Sequence, residues 1–191
     1  MAGQTSDSTL ELKSNKLPLS LRLPIFDDVA AVVEILANKA NSEFDKSICD
    51  ATTEELDAVA KRWTIVTDPP AYRNFLVFYE DKPVGITGFG WIGPCHEHQD
   101  SDDSSQAGAA GIIVQSSARG KGIAYEALRL VFEYGLCELG LKEIRVGTHS
   151  GNLPMWMLME RKFGVKTIRT AEVDRFGNDL LWTITKPEQV L

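Results

Sequence analysis

The sequence is poor in the features that mark several protein classes. Its 191 residues include three cysteines, Cys49, Cys95 and Cys137, an odd number, widely spaced and with no CxxC pair. That argues against a disulfide scaffold and reads as reduced, mostly packed thiols. No apolar run approaches the ~20 residues needed to span a bilayer. The segment from Met1 to Asn15 is polar, with no basic stretch leading into an apolar run, so neither a secretory signal nor an arginine-rich transit peptide is expected. Positive charge is also short: 20 Lys and Arg against 27 Asp and Glu leave a net −7. Such a chain is a poor candidate for nonspecific binding to nucleic acid or anionic membrane, and better suited to a cationic partner such as an amine. The expected location is cytoplasmic or nuclear, with no nucleic-acid or membrane partner.

What the chain does contain is an ordinary globular composition, 43% hydrophobic and 25% charged, at a length that suits one domain. Residues 1–16 are rich in Ser, Thr and Lys and read as a flexible leader, leaving 17–191 as the domain. The alternation of Leu17, Leu19, Leu21 and Leu23 predicts a strand. Asp27 and Asp28 then cap a helix running to about Asn41, and Thr52 with Glu55 forms a capping box for a second. Phe75–Tyr79 and Val84–Ile92 read as a hairpin, 94–108 as a long acidic loop, and Ala109–Val114 as a buried strand. Further along come a long helix closed by Gly140, a strand over Ile144–Thr148, a short helix after Asn152, and a hairpin from Val165–Thr170 and Leu180–Thr185. Helices interleaved with strands predict a mixed α/β or α+β domain built on one sheet.

The stretch with most chemical content is Arg119-Gly120-Lys121-Gly122-Ile123-Ala124, between a strand and a helix. Two glycines let the backbone turn sharply and point several N–H groups into one concavity. The positive end of the following helix dipole completes an anion site. An ordinary strand-to-helix turn with a solvated basic pair fits the same spacing. The loop lacks the Gly-Lys-Ser/Thr ending of a Walker A loop and the GxGxxG of a dinucleotide fingerprint, which disfavours a nucleotide-binding module.

Residues 112–124, IIVQSSARGKGIA, resemble the acyl-CoA-binding motif R/Q-x-x-G-x-G/A of the GNAT acetyltransferase superfamily, carried here by Arg119, Gly122 and Ala124. Downstream, Gly151-Asn152-Leu153-Pro154-Met155-Trp156 and Leu158–Gly164 resemble that family's second motif. The Leu21-Arg22 strand entry and Asp-capped helix are similar to the ribosomal-protein N-acetyltransferase branch. The resemblance implies a central mixed, mostly antiparallel sheet, splayed apart at one point and flanked by helices, with acetyl-CoA as co-substrate and no metal. It implies that Ile112 and Val114 offer backbone groups to the pantetheine arm, that the amides of Arg119, Gly120, Lys121, Gly122, Ile123 and Ala124 hold the pyrophosphate, and that Asn152 contacts the cofactor. The reaction implied is direct transfer of acetyl to a primary amine, either a protein N-terminus or a small molecule, by a monomer or homodimer.

The departures bear on catalysis. Many family members carry a glutamate base on the strand before the loop, where Ala109-Ala110-Gly111 stand here, and a tyrosine acid where Met159 stands. Those losses motivate an alternative, a catalytically weak acyl-CoA-binding or sensing domain. His149 lies beside the expected splay with an intrinsic pKa suited to proton transfer, although a surface loop histidine fits its position more simply. His96, Glu97 and His98 begin the acidic loop, and Cys95 with His96 and His98 lacks the partner set of a metal site. Asp100, Asp102 and Asp103 either attract a cationic acceptor or keep the loop soluble. Phe89, Trp91 and Trp156 fit an acceptor pocket or, more simply, a core, and Glu160-Arg161-Lys162 a solvated helix face.

Overall fold

A computed structural model of the chain describes residues 10–95 and 105–187. Eight strands form one sheet in the order β1-β2-β3-β4-β5-β6-β8-β7. They are β1 (Glu11–Lys13), β2 (Leu19–Arg22), β3 (Arg73–Tyr79), β4 (Lys82–Pro94), β5 (Gln106–Val114), β6 (Glu143–Thr148), β7 (Ile168–Arg169) and β8 (Leu180–Ile184). Every neighbouring pair is antiparallel except β5 and β6, which run parallel with α5 (Ile123–Glu133) between them in sequence.

β3 is buried on both faces, and alternate residues serve two cores. Phe75 and Val77 pack with Leu128, Val131 and Phe132 of α5. Leu76 packs with Ile86 against Val32, Ile35 and Leu36 of α1 (Val29–Ala37) and Leu56 and Ala60 of α4 (Thr53–Trp63). Period-two alternation therefore hands one strand to two helical layers. The Glu80–Asp81 turn joining β3 to β4 has positive φ at both residues (50° and 61°), the twist that suits a two-residue hairpin.

Thr52 accepts from the Glu55 N–H (3.2 Å) and Glu55 accepts from the Thr52 N–H (2.7 Å), the reciprocal cap expected for α4. The helix expected to run to Asn41 instead stops at Ala37. Asn38 is extended (ψ 103°), and its Oδ1 accepts from the Ala40 N–H, starting the separate turn α2 (Lys39–Ser42). A short polar side chain here competes with the helix ladder and breaks it. A further turn, α3 (Lys46–Cys49), leads to α4.

The acidic loop is shorter than 94–108, because β4 runs to Pro94, β5 begins at Gln106, and the two residues pair. His96, Glu97, His98, Asp100, Asp102 and Asp103 lie outside the described residues. Residues Leu10–Lys16, assigned by sequence to a leader, include β1, which pairs with β2 in the register Leu12↔Leu21.

α5 and α6 (Leu153–Met157) each run into a wider, π-helical turn, Tyr134–Glu138 and Leu158–Lys162. In the first of these, a Cβ on Gly135 would lie 2.5 Å from the Phe89 Cζ, so only glycine lets α5 approach the sheet this closely.

Candidate active site

The parallel pairing of β5 and β6 runs from Ala107↔Glu143 to Ala110↔Val146 and then ends. Beyond it, Gly111–Val114 pair with β4 alone and Gly147–Thr148 with β8 alone. The gap opens onto a cavity of about 540 Å³.

One wall of the cavity is the free edge of β5. The Gln115 N–H donates to the Val84 carbonyl (2.8 Å), in register with Ile86↔Ile113 and Thr87↔Ile112. Antiparallel ladders alternate bonded and non-bonded pairs. Ile113 therefore bonds to β4, whereas Ile112 and Val114 turn their N–H and C=O away from it, toward the gap. An extended ligand can pair with these groups as a strand would.

At the end of that edge, Gly120 and Gly122 both adopt φ +80°, and Gly122 is the N-cap of α5. An added Cβ would meet nothing within 4 Å at Gly120, and only the Leu17 Cδ1 at 3.9 Å at Gly122. The left-handed conformation, not crowding, requires glycine here. The first N–H groups of α5 have no partner within the helix and, with the helix dipole behind them, suit an anion.

Eight of the nine residues expected to bind the cofactor line this one cavity: Ile112, Val114, Arg119, Gly120, Gly122, Ile123, Ala124 and Asn152. Lys121 does not. Its Nζ lies 5.3 Å from the centre of the Tyr79 ring, in a cation–π contact on β3. The Arg119 guanidinium is spent on two carbonyls, Nε to Val114 O (3.1 Å) and Nη2 to Ala40 O (2.8 Å). Asn152 caps α6: Oδ1 accepts from the Met155 N–H (3.2 Å) and Nδ2 donates to Thr148 Oγ1 (3.0 Å).

His149 lies just past the end of β6, with its ring stacked on Phe44 at 6.1 Å and 10°. Its Nδ1 accepts from the Gly151 N–H (3.0 Å), so the neutral ring carries its proton on Nε2. The neighbouring loop is tied to the residue before β8 by the Ser150 N–H donating to Asp179 Oδ1 (2.6 Å), and hydrogen bonding from Ser150 holds the Asp179 carboxyl below its ordinary range.

Sequence reasoning missed several wall residues. Asn41, Glu43 and Phe44 form a roof contributed by the chain between α1 and α4, and Tyr125, Leu158 and Lys162 come from the helices beyond the loop. Lys162 was assigned to a solvated face, yet it reaches the cavity. Tyr125, which directly follows the Arg119–Ala124 motif, had a positional signal, whereas the roof had none. Phe89 is fully buried in the core, Trp91 is exposed, and neither they nor the half-buried Trp156 line the cavity. Met159, also fully buried, has no hydroxyl to offer. Among the described residues no group of His, Cys, Asp and Glu is placed to hold a metal, and no helix is long and apolar enough to cross a membrane.

The sequence profile of the acetyltransferase (GNAT) domain matches residues 19–164, and the chain belongs to that family. Acyl transfer from acetyl-CoA is the chemistry that goes with this fold and loop. Solved structures with the same fold include a GNAT-family acetyltransferase from Bacillus anthracis, at 20% identity and TM-score 0.67, covering 92% of this chain and 98% of that one. A ribosomal-protein alpha-N-acetyltransferase, RimL, in complex with coenzyme A superposes at TM-score 0.73 and 15% identity, over 93% of this chain and 99% of that one. The microcin self-immunity acetyltransferase MccE, in complex with acetyl-CoA and AMP, matches at TM-score 0.67 and 12% identity, over 88% and 93% of the two chains. A comparison with curated protein sequences gives no significant match.

Proposed function

We propose that the protein moves acetyl from acetyl-CoA directly to a primary amine, a protein N-terminus or a small-molecule amine. The observation that carries this reading is the cavity at the parted β5 and β6. Its wall joins the strand-like free edge of Ile112 and Val114 to the amides of the Gly120–Gly122 loop. The pantetheine arm pairs along that edge. The pyrophosphate takes the loop amides, Arg119 through Ala124, with the Lys121 side chain turned elsewhere. Asn152 acts by capping α6 and so fixing the far wall. That RimL acts on a protein α-amine supports the choice of acceptor.

A neutral amine must attack the thioester, and a free amine with pKa near ~10.4 is mostly protonated at neutral pH. Holding both reactants in the gap supplies much of the acceleration. The leaving thiolate, with a thiol pKa near ~8.5, departs without a dedicated acid, which suits a site where Met159 replaces a tyrosine. No cysteine among the described residues lines the cavity, which favours direct transfer over an acyl-enzyme step on a thiol. His149 is the base candidate beside the gap, and it takes up a proton once Nδ1 exchanges its bond to Gly151. His149→Ala should lower turnover and flatten the pH–rate profile. An unchanged profile would shift proton removal to Glu43, the one carboxylate on the wall among the described residues, or to solvent.

A second reading, an acyl-CoA-binding domain with little turnover, is favoured by the buried Met159 and by the absence of a carboxylate over Ala109–Gly111. Calorimetric titration with acetyl-CoA, with ATP as comparator, tests the shared donor site. Micromolar affinity, about −8 kcal/mol, is the expected outcome. Coenzyme A release over a panel of peptide and small-molecule amines then separates enzyme from sensor. No binding of acetyl-CoA would overturn both.

A further inference from the structure

An acyl-CoA is a strong anion. Its diphosphate and its phosphate monoester together carry about four negative charges near neutral pH, and they approach a chain of net charge −7. The amides of the Gly120–Gly122 loop and the dipole of α5 supply only partial positive charge. A full positive charge at the site has to come from a side chain.

The two cations of the loop itself are engaged elsewhere. Arg119 is committed through Nε to the Val114 carbonyl and through Nη2 to the Ala40 carbonyl, and Lys121 lies over the Tyr79 ring. The remaining cation on the cavity wall is Lys162. Among the described residues it has no ion pair, hydrogen bond or cation–π contact, and Glu43 of the roof does not pair with it. Its place is set by the next residue. Phe163 is buried, with its ring 4.8 Å from that of Tyr125 and 5.1 Å from that of Phe132, both on α5. The wide turn ending at Lys162 is therefore docked on α5, and Tyr125 directly follows Ala124 in the first turn of that helix. Lys162 thus shares a wall with the amides that suit an anion, and its ammonium is free to move to one.

We propose that Lys162 is a donor-binding residue whose ammonium pairs with a phosphate group of the acyl-CoA. The proposal rests on the acetyl-CoA reading above and turns a residue that the sequence placed on a solvated helix face into part of the donor site. The phosphate it meets belongs either to the diphosphate or to the 3′-phosphate of the ribose, and two ligands differing in that one group tell these apart.

Calorimetric titration of the full chain with acetyl-CoA and with acetyl-dephospho-CoA, which lacks only the 3′-phosphate, is the test. Lys162→Met removes the charge and keeps the length of the side chain. Arg161→Met removes the same charge one residue away, from an exposed side chain that does not line the cavity. Lys162→Met should weaken acetyl-CoA binding roughly five- to twenty-fold at low salt, Arg161→Met less than about two-fold, and Lys162→Arg should restore most of the affinity. The loss in Lys162→Met should shrink in about 0.5 M salt, where a partly exposed ion pair is screened. A loss that vanishes with acetyl-dephospho-CoA supports the proposal and assigns the contact to the 3′-phosphate. One that persists supports it and assigns the contact to the diphosphate. Unchanged acetyl-CoA affinity in Lys162→Met would overturn the proposal, and so would an equal loss in Arg161→Met, which would reflect only the overall charge. Lys162 is exposed, so circular dichroism should show the variants folded, and Lys162→Gln gives the same comparison if Lys162→Met does not fold. If the unaltered protein binds neither ligand, the acetyl-CoA reading itself fails, an outcome distinct from these.

Discussion

A Cβ on Gly122 meets nothing nearer than 3.9 Å, so alanine there costs only the strain of a left-handed backbone, about 1 kcal/mol. Glutamate at the same position adds bulk and a negative charge where the diphosphate of the donor is proposed to lie. Gly122→Ala should keep acetyl-CoA affinity within about ten-fold, whereas Gly122→Glu should abolish the calorimetric signal. Circular dichroism should show both variants folded. Retained binding by Gly122→Glu would remove the loop from the donor site. This glycine was legible in the sequence because a backbone requirement leaves a fixed residue type. Asn41, Phe44 and Glu43 were not, because the roof meets β5 only through tertiary packing and no local spacing encodes it. The direction of the Lys121 side chain was not legible for a related reason: spacing places the residue in the loop and does not show the side chain turning to Tyr79.

Among the elements, α5 does two jobs, carrying the Gly122 cap at one end and closing on the sheet at the other. Its close approach depends on Gly135 against Phe89. Gly135→Ala should overpack this contact and lower stability by about 2 kcal/mol in urea titration. No change would mean that Phe89 shifts freely. The helix also holds a buried ion pair, Glu126 with Arg129, at 2% and 8% side-chain exposure. Ser14, from the segment after β1, donates to Glu126 Oε1 (2.7 Å), so the chain's first strand is fastened to the helix behind the donor loop. Helix and strand types were largely readable from periodicity and caps, with Thr52 and Glu55 behaving as expected. The break at Asn38 and the strand β1 were not, since the first turns on one side-chain hydrogen bond and the second on pairing with β2.

At the scale of the whole molecule, acid should unfasten what these pairs hold. Burial raises the Glu126 carboxyl, but hydrogen bonds from Arg129 and Ser14 outweigh it and leave it below the ordinary range. Burial likewise raises Asp28, and the bidentate Arg22 pair and the Ile25 N–H bring it below that range. Carboxylates depressed in the folded state contribute stability above their unfolded pKa, near ~4, and lose it as pH falls through the folded value. Melting temperature should therefore drop steeply below about pH 4. Glu126→Gln should start lower at pH 7 and fall less steeply, and parallel curves would show that this pair contributes nothing to the acid transition. The family resemblance implied a mixed, mostly antiparallel splayed sheet without a strand order, and the point where β5 and β6 part emerges only from the register, Ala110 against Val146.

That parting has a bearing on inheritance. The donor wall consists mainly of peptide groups, those of Ile112, Val114 and the Gly120–Gly122 loop. Substitution replaces side chains and leaves N–H and C=O groups where the chain path puts them. A lineage can therefore exchange most of its residues without losing this wall. The side-chain roof over it has no such protection. Drift there is free to retune what the cavity accepts while the chemistry beneath stays in place.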